Sequence, residues 1–178
     1  MAEAPDEQLM LAYRDGDAGA FETLYARHRA RLFRFVLRSI KSRASAEELY
    51  QEVWMRVIEA RATYKPAARF TTWLYAIAHN RMVDHWRRAG LNAVSLDGID
   101  VPADDPGPQR HMEGREALAR FAAALEALPA AQREAFLLRE EAGLTVAEIA
   151  TATGSNEEAA KSRLRYALAK LKAAVVDG

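Results

Sequence analysis

GLTVAEIATATGSNEEAAKSRLRYALAKL, residues 143–171, is the stretch that decides the fold of the C-terminal half. Thr145 and Glu148 have the spacing of a capping box, in which each side chain accepts a hydrogen bond from the backbone N–H of the other residue. Ser155 and Glu158 repeat the same spacing further along. The pattern therefore predicts two consecutive helices, one beginning at each pair.

A glycine separates the two predicted helices. Gly154 lies where the chain must turn sharply, so we expect a positive φ there. A short helix, a glycine turn and a longer helix with a basic outer face are typical of a helix-turn-helix, whose second helix enters the major groove of DNA. An ordinary helical hairpin with a solvated charged face is an equally open interpretation. The residues predicted to face inward are Ile149, Ala150, Leu164, Ala167, Leu168 and Leu171.

The polar side of the second helix carries groups that suit DNA. Arginine can bond a guanine edge bidentately, and lysine can bond a phosphate. Glu157 and Glu158 suit a helix N-terminus by charge but would repel phosphates, so they slightly favour the plain hairpin. The residues on or beside this side are Lys161, Ser162, Arg163, Arg165 and Tyr166.

A second informative helix is predicted at FTTWLYAIAHNRMVDHWRR, Phe70–Arg88. One apolar stripe suffices to pack a helix on a globule, but this helix carries two. The second stripe must be covered by another helix or used, for example to stack on unpaired bases beside cations that follow the phosphates. We expect Trp73 to face the core more than Trp86. The first stripe is Phe70, Trp73, Leu74 and Ile77, and the second is Tyr75, His79, Met82 and Trp86.

The remaining sequence is also rich in helix formers, since alanine, leucine, glutamate and arginine dominate it. Residues 90–111 differ, because three glycines, three prolines and four aspartates occur there without an apolar period, as in a linker. We therefore expect an all-α protein of two small helical domains joined by a flexible acidic linker. Further helices are predicted at Asp6–Arg14, Asp17–Lys41, Ser45–Arg61 (opened by a Ser45–Glu48 capping box), Glu113–Leu128, and from just after Pro129 to Glu141.

Length and composition exclude several classes of protein. A chain of 178 residues allows one domain or two small ones. It contains no cysteine, which argues against disulfides and thiolate metal sites and favours a reducing cytoplasm. The acidic start MAEAPDEQLM does not have the pattern of a signal peptide. No apolar run approaches the roughly 20 residues of a membrane span, so we expect no membrane insertion.

The net charge of zero conceals an uneven distribution. Residues 1–88 hold 15 Lys and Arg against 11 Asp and Glu, whereas residues 89–115 hold 2 against 5. Residues 161–172 include five basic residues and no acidic one. Because local clusters set the electrostatic footprint of a nucleic-acid-binding protein, two basic regions around an acidic middle are compatible with a DNA partner.

Six segments follow one another along the chain. They are GDAGAFETLYARHRARLFRF, AEELYQEVWMRVI, FTTWLYAIAHNRMVDHWRR, the acidic linker, ALEALPAAQREAFLLREEAGLTVAEIA and KSRLRYALAKL. In this order and spacing they resemble the small two-domain RNA polymerase sigma factors of the extracytoplasmic-function type. The resemblance runs from Leu9 to Lys172 and implies a factor that binds core RNA polymerase and promoter DNA, with no catalytic residue, cofactor or metal. It assigns residues 1–89 to sigma region 2, 90–112 to the linker and 113–178 to sigma region 4.

The resemblance also implies site residues. The EELYQEVW helix would dock on polymerase, and the ATYKPAARF loop with the following helix would open the promoter −10 element, where Trp73 and Tyr75 would support or stack on captured bases. The polymerase contacts would be Glu48, Leu49, Gln51, Glu52 and Met55. The −10 contacts would be Thr63, Lys65, Arg69, Trp73, Tyr75, Asn80, Arg81, Asp84, Arg87 and Arg88.

The C-terminal helix would read the promoter −35 element as duplex. Many relatives have Thr-Val before the Lys/Arg-Ser-Arg of this helix, whereas Ala159 and Ala160 stand here, so the −35 sequence is expected to be unusual. The resemblance further implies a cognate anti-sigma partner. The −35 contacts would be Ser155, Lys161, Ser162, Arg163, Arg165 and Tyr166.

Three other functions compete with this one. A stand-alone helix-turn-helix regulator would bind duplex DNA without polymerase, and an interaction scaffold would use its helices only for proteins. An enzyme is disfavoured, because no metalloprotease, nucleophile-elbow or phosphate-loop motif occurs. His79 and His85 are six residues apart and so lie on different faces of a helix, which disfavours a metal site with Asp84.

Overall fold

The computed structural model describes residues 3–90 and 114–176, and all of their regular structure is helical. We call residues 3–90 the front module and residues 114–176 the rear module. The predicted linker falls on residues 91–113, outside the described residues. The front module contains α1 (Asp6–Arg14), α2 (Ala18–Ser39), α3 (Arg43–Ala60), a 3-10 turn (Arg61–Thr63) and α4 (Phe70–Arg88). The rear module contains α5 (Gly114–Ala127), α6 (Ala130–Glu140), α7 (Val146–Thr153) and α8 (Glu157–Val176).

The start of α3 differs from the sequence prediction. Ser42, not Ser45, is the N-cap, and its side chain accepts a hydrogen bond from the Ser45 backbone N–H at 3.3 Å. Ser42 is extended, with φ −85° and ψ 121°, which is the conformation of an N-cap residue. The predicted Ser45–Glu48 capping box is therefore wrong, and Glu48 is an exposed residue within the helix.

In the helix-turn-helix of the rear module, the predicted cap is present at α7, whereas α8 is capped by a residue other than the predicted one. The Thr145–Glu148 capping box at α7 is confirmed, and Gly154 has the expected positive φ of 63°. The predicted Ser155–Glu158 box is wrong, because the Asn156 side chain caps α8 by accepting from the Ala159 N–H at 2.8 Å. The turn is therefore one residue longer than the capping pattern suggested.

The buried apolar side chains of the two modules form one continuous cluster. The front module contributes fully buried side chains from α1 to α4, and the rear module contributes the inward sides of α6, α7 and α8. Leu168 was expected to face inward, but it is 43% exposed, because the buried stripe of α8 follows positions 160, 164, 167 and 171. Representative core residues are Leu24, Phe35 and Leu74 in front and Leu137, Ile149 and Leu164 in the rear.

The two modules pack against each other. Helix α7, the first helix of the helix-turn-helix, lies on α4, and α6 lies on α2. Arg133 of α6 is buried at this contact and donates to the backbone carbonyls of Ser39, Glu126 and Leu128 at 2.9–3.2 Å. Burial lowers the pKa of the Arg133 guanidinium, and nearby carboxylates oppose that shift.

Candidate nucleic-acid interface

A groove of about 380 Å³ lies between α3 and α4. One wall is the half-buried ring of Trp73, which contacts Tyr64 at 5.0 Å and Phe70 at 5.7 Å between ring centroids. These two buried aromatic residues fix the indole, so that one part of it borders the groove. The groove therefore combines an aromatic surface with amide and charged groups. Its lining residues are Arg56, Glu59, Ala60, Trp73, Ile77, Asn80 and Arg81.

The second stripe of α4 is covered by other helices. Tyr75, Met82 and Trp86 are buried, and Trp86 is only 5% exposed, so the expectation that Trp73 is the more core-facing tryptophan is wrong. The Tyr75 ring packs against Phe35 at 5.2 Å, and burial raises the pKa of its hydroxyl. Tyr75 can therefore support α4 from within the core, but it cannot stack on a base.

The other predicted −10 contacts frame the groove in three places. Thr63, Lys65 and Arg69 are exposed on the loop that leads into α4, and Arg87 and Arg88 are exposed at its C-terminal end. The middle of the helix holds the remaining three, Asn80, Arg81 and Asp84, with an Arg81–Asp84 ion pair at 2.9 Å. The exposed cations thus lie before and after the groove along the helix.

The predicted polymerase contacts form an exposed row on α3 with one exception. Glu48, Gln51, Glu52 and Met55 are exposed, and their spacing of three and four residues places them on one helix face. Leu49 is only 4% exposed, so it packs in the core behind that row. A small groove joins this row to α4, and its lining residues are Ser45, Glu48, Leu49, Glu52, Arg81, Asp84, His85 and Arg88.

The predicted −35 contacts lie in the turn before α8 and in the first three turns of that helix. Lys161 and Arg165 are exposed, whereas Ser162, Arg163 and Tyr166 are half-buried. The Arg165 guanidinium lies over the Tyr166 ring, 5.1 Å from its centroid. Ser155 is half-buried, and its hydroxyl bonds that of Thr153 at 2.9 Å. A cationic strip therefore follows one side of the second helix of the helix-turn-helix.

Glu148 of α7 joins this helix-turn-helix to the −10 region. Its carboxylate accepts from the Thr145 N–H at 3.1 Å, from the Thr72 hydroxyl at 3.0 Å and from the Arg69 guanidinium at 3.3 Å. The pKa of Glu148 is lowered: burial raises it, but the hydrogen bonds from Thr145 and Thr72 and the Arg69 charge outweigh burial. The capping residue foreseen from the sequence is thus also a contact between the modules.

Two further carboxylates complete the contact between the modules. His79 Nδ1 lies 2.8 Å from both carboxylate oxygens of Glu134, which is only 3% exposed. Glu141 pairs with Arg34 at 3.2 Å and also with Arg38. Sequence reasoning missed these pairs because their partners are 55 to 107 residues apart. It also missed Ile77 as a groove residue, although Ile77 shares a face with Trp73 in a helical projection.

Within residues 3–90 and 114–176, no group of three or more His, Cys, Asp or Glu side chains is arranged to hold a metal ion. No helix of residues 3–90 or 114–176 has the length and apolar character needed to cross a membrane.

Comparisons with known proteins agree with this geometry. The chain matches the family models of Sigma-70 region 2 over residues 24–91 and Sigma-70, region 4 over residues 118–171. It is 34% identical to the RNA polymerase sigma factor CarQ of Myxococcus xanthus, covering 92% of this chain and 93% of that protein. It is also 34% identical to the extracytoplasmic-function sigma factor SigF of Caulobacter vibrioides, covering 92% and 89%.

Solved structures share the arrangement of helices. CnrH, in complex with the cytosolic domain of CnrY, superposes with a TM-score of 0.69 at 25% identity, covering 94% of this chain and 95% of CnrH. The sigma factor RpoE of Bartonella quintana, in complex with the anti-sigma factor NepR, superposes with a TM-score of 0.66 at 22% identity, covering 88% and 96%. The second likeness concerns the fold alone.

Proposed function

The chain belongs to the extracytoplasmic-function RNA polymerase sigma factors, and we propose that it directs core polymerase by opening a −10 element and reading a −35 element. Members of this family are transcription initiation factors, not enzymes. In the proposal, residues 1–89 bind polymerase and the −10 element, residues 113–178 read the −35 duplex, and residues 90–112 connect these two domains. The site of action is the cytoplasm, where polymerase and promoter DNA meet.

The groove beside Trp73 is the observation that carries the −10 part of this proposal. A base taken out of the duplex needs a flat apolar surface, a group that bonds its edge, and cations for its phosphates. The half-buried indole, the exposed Asn80 amide and the neighbouring Arg81 supply these three elements around one opening. Stacking on an aromatic side chain is worth about 1–3 kcal/mol per base, which offsets part of the unstacking.

Polymerase binding is assigned to the exposed row of α3. Glu48, Gln51, Glu52 and Met55 would contact the enzyme, and Leu49 would act from the core by holding the helix in place. Met55 is apolar and 53% exposed, so the row can offer polymerase an apolar contact beside its polar and charged ones. This row lies next to the α4 groove, so the polymerase contact and the opened DNA strand would be neighbours.

The −35 part of the proposal rests on the helix-turn-helix. Its second helix is free of acidic residues from Lys161 to the end of α8, and Lys161 and Arg165 are exposed on it. A helix of this kind can lie in the major groove with its N-terminal turns toward the bases. In that position Ser162, Arg163 and Tyr166 are within the first three turns of α8 and Ser155 is in the turn just before it, where base and phosphate contacts are made.

A cognate anti-sigma partner is also proposed. CnrH, which has the same arrangement of helices, was solved in complex with the cytosolic domain of another protein. The contact between the modules buries three acidic side chains against basic ones, so a partner that stabilised this contact would withhold Arg69 from DNA.

Run-off transcription with purified core polymerase on a library of genomic fragments tests the function. We expect the chain to select a small set of fragments and to fix their start sites, and Lys65→Glu to abolish that selection. Arg115→Glu is the matched control, because Arg115 is exposed in the first turn of α5, where an acid is tolerated.

A mobility-shift assay with and without core polymerase distinguishes the runner-up function. A sigma factor requires polymerase for specific promoter binding, whereas a stand-alone helix-turn-helix regulator binds duplex DNA alone. Specific binding without polymerase, together with no start-site selection in its presence, would contradict the proposal.

A further inference from the structure

We infer that Glu7 of α1 is a positioning residue for promoter opening, because it caps the N-terminus of α4 from a different helix. The inference rests on the proposed function. The Glu7 carboxylate accepts from the Phe70 backbone N–H at 2.8 Å, across 63 residues of sequence. Arg69 occupies the N-cap position of α4, and its side chain makes no capping bond. The first turn of the helix that carries Trp73 is therefore held by α1.

Helix α1 also holds the loop that precedes α4. The Arg14 guanidinium donates to the Tyr64 carbonyl at 3.5 Å, and the Arg61 guanidinium lies 5.1 Å from the centroid of the Tyr13 ring. Tyr64 is only 3% exposed, and its pKa is raised by burial and then by the nearby Glu7 and Asp6 carboxylates. Helix α1 thus holds the segment 61–70 at three residues, which are Arg61, Tyr64 and Phe70.

Contacts with α2 fix α1 itself. Asp6 bonds His28 Nε2 at 2.9 Å and accepts from Arg27 at 3.0 Å, and Arg27 also donates to the Ala4 carbonyl at 2.7 Å. Met10 is fully buried between these elements. Because α1 is anchored at its N-terminal turn, the adjacent Glu7 has a defined position relative to α4.

The functional consequence follows from the position of Trp73. Its indole contacts Tyr64 and Phe70, the two residues that α1 fixes through Arg14 and Glu7. A charged acceptor at a helix N-terminus satisfies one of the free N–H groups and complements the helix dipole. Without it, the first turn of α4 frays and the indole loses its fixed orientation. Capture of a base by the variant then costs additional entropy, because the indole must be ordered during binding, whereas in the wild-type groove it is ordered beforehand.

Promoter opening by Glu7→Ala tests the inference. With a promoter that the wild-type chain selects, 2-aminopurine in the −10 element reports opening of the duplex by the holoenzyme. We expect Glu7→Ala to open the duplex about fivefold more slowly, which is the size expected from one lost helix cap. Glu7→Asp retains a shorter carboxylate and should recover part of the rate. Gln8→Ala is the matched control, because Gln8 is exposed on the same helix.

Two readouts separate positioning from a loss of folding. Affinity for core polymerase should stay within about twofold, and a template with a pre-opened −10 bubble should restore run-off yield at saturating holoenzyme. Arg14→Ala should give the same pattern with a smaller effect, since its bond to Tyr64 is longer and its side chain is 37% exposed.

The outcomes distinguish this inference from the proposed function. If the wild-type chain never selects a promoter, the proposed function fails. If it does, and Glu7→Ala and Arg14→Ala open the duplex at the wild-type rate, the inference is overturned. Equal losses in core binding and on the bubble template would also overturn it, because they would indicate general unfolding.

Discussion

The two modules meet through surfaces of opposite charge. In the ion pairs that join the described residues of the two modules, the front module supplies basic or imidazole side chains and the rear module supplies carboxylates. DNA phosphates carry the same sign of charge as the rear surface, so the Glu148 carboxylate occupies Arg69, which the proposed function assigns to promoter DNA. The front groups are Arg34, Arg38, Arg69 and His79, and the rear groups are Glu134, Glu141 and Glu148.

The two sides of this contact also differ in burial. The side chains of Arg34, Arg38 and Arg69 are about half exposed or more, whereas those of Glu134, Glu141 and Glu148 are 3–17% exposed. A buried charge that loses its partner destabilises far more than an exposed one. The contact therefore depends mainly on the rear carboxylates, whereas the front cations remain largely exposed to solvent.

The largest expected effect is on the rate of promoter opening, and it comes from a substitution in the front module. Trp73→Ala should slow opening of a selected promoter by about tenfold or more, because a stacking surface worth about 1–3 kcal/mol is lost. Stopped-flow fluorescence of a −10 base analogue measures it. Trp73→Phe keeps a ring and should retain most of the rate.

The matching change in the rear module should leave opening itself intact. Arg165→Glu is expected to weaken duplex binding upstream while run-off from a pre-opened template persists. If Trp73→Ala and Arg165→Glu gave identical defects on both templates, the division of labour between the modules would be refuted.

The next effect concerns the contact between the modules. Glu134→Gln removes the charge that faces His79 while keeping the size of the side chain. We expect the packed arrangement of the two modules to become about 1–2 kcal/mol less stable relative to a state with the modules separated. The reason is that one buried charge-assisted hydrogen bond is weakened. The chain has no cysteine, so Glu22→Cys and Lys172→Cys provide two exposed positions for attaching a pair of fluorescent dyes. Energy transfer between the dyes should be lower in Glu134→Gln than in the chain that keeps Glu134.

Glu140→Gln is the control for that change, because Glu140 is exposed on the same helix. Separation of the modules should also raise the apparent affinity of the holoenzyme for a selected promoter, since Arg69 is released from Glu148 in a larger share of the molecules. Unchanged energy transfer in Glu134→Gln would show that Glu134 does not hold the modules together.

A smaller effect is a difference in acid sensitivity between the modules. Burial lowers the pKa of His28 below its ordinary value of 6.5, against the opposing Asp6, so its contribution to stability is present above pH 6.5 and is lost as the pH falls through the lowered value. Glu148 has a pKa below 4.5, so its contribution is present above pH 4.5 and lost only in stronger acid.

Hydrogen exchange across this pH range checks both windows. Peptides from α1 and α2 should lose protection first, and peptides from α7 should lose it at lower pH. His28→Gln should remove only the first change, and Glu148→Gln only the second. A single shared transition in the wild type and both variants would contradict the assignment.

Local patterns predicted the helices well and the tertiary contacts poorly. Helix α1, the Thr145–Glu148 box and the positive φ of Gly154 were foreseen, since each depends on a few adjacent residues. Which stripe of α4 would be covered depends on α2 and α3, which are distant in sequence. The four ion pairs between the modules and the Glu7 cap have no local signal for the same reason.

The smallest effect tests the caps that the sequence pattern misassigned. Asn156→Ala should lower the free energy of unfolding by about 1 kcal/mol, because the Ala159 N–H at the start of α8 loses its acceptor. Ser155→Ala should have a smaller effect, since its hydroxyl bonds Thr153 and not the helix backbone. In the front module, Ser42→Ala should likewise exceed Ser45→Ala. Urea denaturation of the four variants measures both pairs. If Ser155→Ala were more damaging than Asn156→Ala, the capping box would be the correct assignment at α8, and that helix would begin one residue earlier. If Ser45→Ala were more damaging than Ser42→Ala, the capping box would be the correct assignment at α3, and that helix would begin three residues later.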